Sequence, residues 1–302
     1  MTAFLLMVAL VAGTAAYLRW ALHWIADGAA AWWFVVGAPI AYFIPALVLV
    51  TLWFAMSWIW RSPRPPEARI GFAATMRLYI TEVWVVAISW PLMGLHRWLI
   101  HDPEAARAER PVLLVHGVLV NDGVWVAFRR YLARNDIGPV YTVNYGPPLA
   151  DIELFAQQLH AKIASIRAAT GAQRVVLVGH SMGGLVARAY LRRFGGAHVE
   201  KLITLGTPHH GSALAHTFPG VCLGQMHLDN AWLAELNRNE TARAPVPITS
   251  IWSRHDSMVA PQASSELGHA RNIPLVGVAH NALLADPEAR RCVMREIGKA
   301  PS

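Results

Sequence analysis

"RVVLVGHSMGGLVARAY", Arg174 to Tyr190, decides how this chain reads. Val175–Val178 is an unbroken run of Val and Leu, the pattern of a strand covered on both faces. The run stops at Gly179, a single hydroxyl follows at Ser181, and a helical pattern extends from Gly184 to Gly195. A strand that becomes a helix over so few residues brings backbone segments together and imposes strained dihedrals at the corner. Side chains at Gly179 and Gly183 would collide with neighbouring backbone. The turn lifts the Ser181 hydroxyl out of the sheet. It places it at a helix N-terminus, where free N–H groups and the helix dipole favour negative charge.

The same alternation continues on either side. "PVLLVHG" (Pro111–Gly117), "PVYTVNY" (Pro139–Tyr145), "VEKLITLGT", "VPITSIWSR" and "IPLVGVAH" read as strands. "VWVAFRRYLARN" (Val124–Asn135) has helical spacing. Asp151–Gly171 is an amphipathic helix with Asp151 as N-cap and Gly171 just past its end. Strands alternating with helices imply an α/β fold with a mostly parallel central sheet. This domain is expected over 101–302.

Residues 1–100 differ in kind. The chain of 302 residues is 55% hydrophobic and 15% charged, and the apolar excess is concentrated here. Thr2–Leu18 is an uncharged run of about 17 residues, the lower limit for crossing a bilayer, closed by Arg19. A cleaved signal peptide is the alternative, although no positive charge precedes Phe4. Ala31–Trp60 is uncharged for about 30 residues, with Pro39 and Pro45 as kink points and tryptophans at both ends like interfacial belts. A third stretch has Glu82 near its start and Pro91 as a break. Its apolar core, Val83–Met93, is too short to span, so an interfacial or domain-packing helix is expected. Arg61–Arg69 reads as a proline-rich linker and His101–Pro111 as a polar one holding the domain boundary.

The net charge of +7 comes mainly from arginine. No basic block alternates with aromatics, so nucleic acid is not an expected partner. Arg61, Arg64 and Arg69, just after the second apolar run, point instead to a membrane surface and to a cytoplasmic linker. Two spans then leave the catalytic domain facing the cytoplasm. Cys222 and Cys292 are too few for a disulfide framework and read as small buried apolar residues.

Gly179-His180-Ser181-Met182-Gly183 is G-x-S-x-G between strand and helix, the setting of a nucleophile elbow. A hydroxyl needs a base and the base needs an acid. His280, at the end of "IPLVGVAH", and Asp256, just past "ITSIWS", stand where strand ends place them. Asp286 and Glu266 remain alternative acids. The oxyanion donors are expected to be the N–H groups of Met182 and of Val118, after His116-Gly117. His116, Gly117, Leu119, His209 and His210 are assigned to the substrate pocket. His180 is grouped with them, although its side chain should point away. Residues 213–246 separate two strands and read as a cap, with Trp232, Leu233 and Leu236 either facing acyl chains or packing on the core.

Taken together, "VLLVHG", "VGHSMGG", "ITLGTPHHGS", "SRHDSMV" and "VGVAHNALLADP" resemble bacterial lipases and esterases of the α/β-hydrolase superfamily, in the triacylglycerol-lipase and PGAP1-like esterase branch. The resemblance covers Pro111–Ile297. It implies carboxylic-ester hydrolysis by Ser181, Asp256 and His280, and a lipid or other ester as substrate. Larger members carry calcium near the catalytic histidine. No matching acidic cluster occurs in the sequence, so neither metal nor other cofactor is expected. The membrane-like start places the chain in a bacterial inner membrane rather than outside the cell. Acyl transfer or thioester hydrolysis by the same triad, and a non-catalytic interaction role, are the competing readings.

Overall fold

The β-rich runs form six strands: β1 (Val112–Val115), β2 (Val140–Val143), β3 (Val175–His180), β4 (Val199–Leu205), β5 (Ile248–Ser253) and β6 (Arg271–Leu275). In the computed structural model, which describes residues 2–104, 107–238 and 244–298, they pair in parallel in the order β2-β1-β3-β4-β5-β6. Successive side chains point to opposite faces. Leu113, Val115 and Leu177 therefore enter one core, while Val112, Leu114, Val176 and Val178 enter another across the sheet.

The helices follow in chain order: α1 (Thr2–Ala26), α2 (Trp32–Ile59), α3 (Phe72–Gly94), α4 (His96–Leu99), α5 (Val126–Ala133), α6 (Ile152–Thr170), α7 (Met182–Phe194), α8 (Val221–Gln225), α9 (Ala231–Arg238) and α10 (Pro287–Gly298). α6 starts where the Asp151 side chain accepts from Glu153 N–H at 2.9 Å and ends at Gly171, φ 76°. Phe155, Leu159 and Ile163 form its buried stripe, at helical spacing. The helix expected from Val124 is shorter. Asp122–Trp125 is a 3-10 turn, held by Asn121 accepting from Gly123 N–H, and α5 begins after it.

The last strand also differs from expectation. β6 ends at Leu275, and the chain then turns through Gly277 at φ 74° before reaching His280. Among the described residues β6 pairs only with β5, and an edge position tolerates Pro274, which has no N–H to donate.

α1 continues past Arg19, and α2 runs through Pro39 and Pro45. Pro91 does not break α3, contrary to the sequence expectation. α2 and α3 are long and apolar enough to cross a membrane by length and composition, with mean hydropathies of 2.2 and 1.3. α2 leaves Val35, Ile40, Leu52, Trp58 and Ile59 exposed, an apolar surface of the kind that water disfavours. α3 is two-faced. Phe72, Ile80 and Trp84 are exposed, whereas Val83, Val86 and Ala87 pack against Ala46 and Val50 of α2.

The far side of α3 rests on the α/β domain. Leu78 joins a sheet-face core, Asn121 Nδ2 donates to Met93 O at 3.0 Å, and Asp122 lies 2.7 Å from His96. The proline-rich linker is docked as well. Ser62 N–H donates to Gln262 Oε1 at 2.9 Å, and Arg64 Nε donates to Arg254 O at 3.0 Å.

The insert between β4 and β5 packs inward. Leu223, Met226, Leu233 and Leu236 belong to the core shared with α6 and α7. Trp232 Nε1 donates to Glu153 Oε1 at 2.9 Å. α9 therefore turns Leu233 and Leu236 to the core, with Trp232 packed against its edge. Cys222 and Cys292 are buried and free, in the cores on opposite faces of the sheet.

Candidate active site

β1 and β3 are neighbours at the point where strand order reverses, which is where open α/β sheets present a crevice at the carboxyl ends of their strands. His116-Gly117 leaves the end of β1, and Ser181 the end of β3.

Ser181 is the N-cap of α7 with φ 56° and ψ −128°, a conformation costly for any residue with a Cβ. The surroundings hold it there. Its N–H donates to Leu205 O at 2.9 Å, and Thr207 Oγ1 donates to its carbonyl at 2.9 Å. Gly183 allows the close crossing under β1, because a Cβ there would lie 2.5 Å from His116 O. Gly117 packs against the serine from the other side, with room for a Cβ only 3.0 Å from Ser181 Cβ.

Asp256 follows β5 by three residues, and the turn after it aims its carboxylate. Oδ1 accepts from the N–H groups of Met258 and Val259, each at 2.8 Å. Oδ2 accepts from His280 Nδ1 at 2.9 Å. Both residues are buried. That bond puts the proton on Nδ1 and leaves Nε2 as the basic nitrogen.

The pair sits against Gly206, where a Cβ would lie 3.1 Å from Asp256 Oδ2 and 3.3 Å from His280 Nδ1. Leu205 and Thr207, on either side of Gly206, both bond the Ser181 backbone, so this short segment touches the serine turn on one side and the Asp256–His280 pair on the other. Gly206 itself has φ 56°. Among the described residues no hydrogen bond joins Ser181 Oγ to His280 Nε2. Such bonds are often long without substrate and tighten in the complex.

Electrostatics favour the charged imidazole. Burial alone lowers the pKa of His280, but the charge and hydrogen bond of Asp256, with the charge of Glu82, outweigh it and leave the pKa raised. Asp286 and Glu266 are elsewhere. Asp286 Oδ1 accepts from Glu288 and Ala289 N–H groups at the start of α10, and Glu266 lines the cleft beside Arg61–Arg64.

Among the described residues the Met182 and Val118 N–H groups donate to no protein acceptor. The Val118 loop is set from behind: the Tyr145 hydroxyl donates to His116 O, and the two rings stack with centroids 4.2 Å apart. His116 Nδ1 lies 2.8 Å from Gly117 O, and burial lowers its pKa to about 4. His116 is thus a neutral brace for the loop.

His180 is buried beneath the site, with Nε2 donating to His280 O at 3.2 Å and its pKa lowered to about 3 by burial and by His280. His209 corrects the sequence reading. It is fully buried, 3.1 Å from Arg188 and 3.2 Å from Thr204 Oγ1, and it accepts from Asn237 through its carbonyl. It ties α7 and α9 to the end of β4 and forms no pocket wall. His210 is on the surface, with Nδ1 3.2 Å from Ser264 O. Leu119, 46% exposed at φ 57°, is the apolar residue beside the Val118 donor.

Sequence reasoning missed Tyr145, Ser257 and Glu82. The available signal for Glu82 was a lone acid in an apolar helix, which ordinarily marks a buried partner.

Comparisons with known proteins bear on the fold and on what the chain is similar to. The PGAP1-like alpha/beta domain family matches residues 129–277. A triacylglycerol lipase of Burkholderia plantarii is 35% identical over 147 residues, 44% of this chain and 40% of the relative. One from Vibrio cholerae serotype O1 is 32% identical over 162 residues, 51% of this chain and 47% of the relative. The chain spans less than half the length of these curated relatives. Among solved structures, mature Bacillus licheniformis lipase BlEst2 matches with a TM-score of 0.57 at 18% identity, covering 66% of this chain and 95% of that one. Aspergillus fumigatus lipase B matches with a TM-score of 0.58 at 21% identity, covering 69% and 57%. At such identities the structures speak for the fold. Motif order and the parallel sheet give this chain the α/β-hydrolase fold, and over about half of its length it is similar to the PGAP1-like alpha/beta domain and to bacterial triacylglycerol lipases.

Proposed function

We propose that the chain is a membrane-anchored serine hydrolase that cleaves carboxylic esters of lipid-like substrates. The observation that carries this is the buried Asp256–His280 hydrogen bond beside a serine held at φ 56°. Ser181 Oγ attacks the ester carbonyl while His280 Nε2 takes its proton. The oxyanion is received by the N–H groups of Met182 and Val118, each contributing about 3 kcal/mol of transition-state stabilisation. His280 returns the proton to the leaving alcohol, and an acyl-enzyme on Ser181 remains. Water, deprotonated by the same imidazole, releases the acid. Asp256 fixes the tautomer and stabilises the imidazolium without taking its proton.

A lipid-like substrate is supported by the exposed Leu119 beside the donors and by two relatives named triacylglycerol lipase. Anchoring by α1 and α2 is supported by the exposed aliphatic and tryptophan surface of α2. The arginines after α2 support a catalytic domain on the cytoplasmic side of a bacterial inner membrane. The test is labelling of detergent-solubilised full-length protein with a fluorophosphonate. Wild type is expected to react and Ser181→Ala to stay unlabelled. A folded wild-type protein that resists the probe overturns the reading.

A further inference from the structure

α3 sends one carboxylate into the loops that carry the acid and the base. Glu82 is fully buried. Its Oε1 accepts from Ser257 Oγ at 3.0 Å, from Asn281 N–H at 3.0 Å and from Asn281 Nδ2 at 2.8 Å. Its Oε2 accepts from Ala282 N–H at 2.9 Å. Ser257 follows Asp256 in the chain, and Asn281 follows His280. Ser257 Oγ also receives His280 N–H at 3.3 Å. One side chain therefore fastens both halves of the acid–base pair from outside the α/β domain.

The requirement there is for a carboxylate. Four donors converge on it, and a glutamine would turn an amide N–H₂ toward one of them. No lysine or arginine forms an ion pair with Glu82 among the described residues. Burial pushes the Glu82 carboxyl pKa up, and the hydrogen bonds from Asn281 and Ala282 with the charge of His280 offset only part of that rise. The cation that Glu82 can favour is the His280 imidazolium. The groups facing that ring are Asp256 from the end of β5, Glu82 from α3 and the neutral His180 ring from the end of β3, 4.8 Å away. Two carboxylates thus serve one imidazole: Asp256 by contact, Glu82 through the loops and by its charge.

We propose that Glu82 is a positioning residue for His280 and Asp256, so that the docked helix α3 is part of the active site and not a tether to it. The proposal rests on the hydrolase reading. With α3 seated, the 256–257 and 280–282 segments are locked together. With α3 displaced, His280 loses both its backbone anchor through Ser257 and the second negative charge. Activity is thereby tied to the seating of the apolar N-terminal helices against the α/β domain.

The experiment compares full-length wild type, Glu82→Gln and Glu82→Asp in detergent. It reads fluorophosphonate labelling, thermal melting, and kcat and KM for a short p-nitrophenyl ester across pH. Glu82→Gln is expected to lower kcat by about tenfold or more with KM changed little, a loss of the size that misaligning a general base produces. Its acid-limb pKa is expected to fall by about half a unit, because a charge that favoured the imidazolium has gone. Glu82→Asp keeps the charge and is expected to hold the wild-type pKa while recovering part of kcat. An unshifted pKa in folded Glu82→Gln overturns the proposal, whether or not kcat falls. If Glu82→Gln does not fold, Glu82→Asp and Ser257→Ala decide. Both keep the charge, so both must lower kcat at an unchanged pKa, and a wild-type kcat in both overturns the proposal. An unlabelled wild type instead removes the hydrolase reading beneath it.

Discussion

Asp256 divides its carboxylate between two tasks. Oδ2 takes the His280 Nδ1 proton at 2.9 Å, and Oδ1 takes the N–H groups of Met258 and Val259, each at 2.8 Å. The backbone bonds leave the side chain no freedom to swing away from the imidazole. An asparagine cannot accept on both sides, so either the loop or the histidine loses its partner. Asp256→Asn is therefore expected to lower kcat for a p-nitrophenyl ester by about 10³–10⁴-fold, as loss of the tautomer-fixing acid does in triads of this kind. Circular dichroism should be unchanged. Activity within about tenfold of wild type would move the acid's role to another residue.

The environment of His280 also sets a pH window. Its pKa is raised, since Asp256 and Glu82 together outweigh the burial that lowers it. The base must be neutral to accept a proton, so activity is lost as pH falls through that raised value. The acid limb of kcat/KM is expected above the ordinary histidine value of about 6.5. A limb below it would mean that burial prevails. Measurement of kcat/KM on a neutral ester from acid to mild alkali reads the difference.

Gly183 is where the serine turn passes under β1. A Cβ there would lie 2.5 Å from His116 O and closer still to Val115 O, both backbone atoms that cannot step aside. Gly183→Ala is expected to destabilise the protein by about 1–3 kcal/mol or more. Gly224→Ala, whose Cβ meets nothing within 4 Å, is the control and should melt with wild type. Thermal unfolding of the two variants side by side checks this. Equal melting would mean that the turn relaxes freely.

α9 distinguishes a lid from a packed helix. Leu236 is fully buried in the core with α6 and α7. Leu236→Ala should cost about 2–5 kcal/mol of stability. The preference among p-nitrophenyl esters of increasing chain length should stay as in wild type. A changed chain-length preference at unchanged stability would identify α9 as a wall of the acyl site.

Anchoring has a biochemical signature. With α1 and α2 inserted, the full chain should remain in the membrane pellet through alkaline carbonate and high salt and leave it only with detergent. Release by carbonate would mean that the apolar helices lie on the bilayer surface or on another protein.

Local pattern was enough for much of this. The apolar run before Gly179, the lone Ser181 and the helical spacing after it define a strand–turn–helix by themselves. Strand periodicity and helix caps such as Asp151 and Gly171 depend on neighbours a few residues away, so they are written locally. Asp256 and His280 were legible because strand ends in parallel α/β sheets share one rim.

What tertiary structure decided were contacts between positions far apart in sequence. His209 looked like a pocket residue until packing enclosed it with Arg188 and Thr204. Trp232, Leu233 and Leu236 show the same helical stripe whether they face a ligand or a core, and only the position of α6 and α7 resolves it. Glu82 is the plainest case. In the sequence it is a charge near the start of an ambiguous helix. In the fold it receives hydrogen bonds from Ser257, Asn281 and Ala282, residues that lie 175 to 200 positions away. Periodicity records which face of an element is apolar. The identity of the surface that covers that face is a property of the assembled chain, because it is fixed by long-range packing rather than by neighbours in sequence.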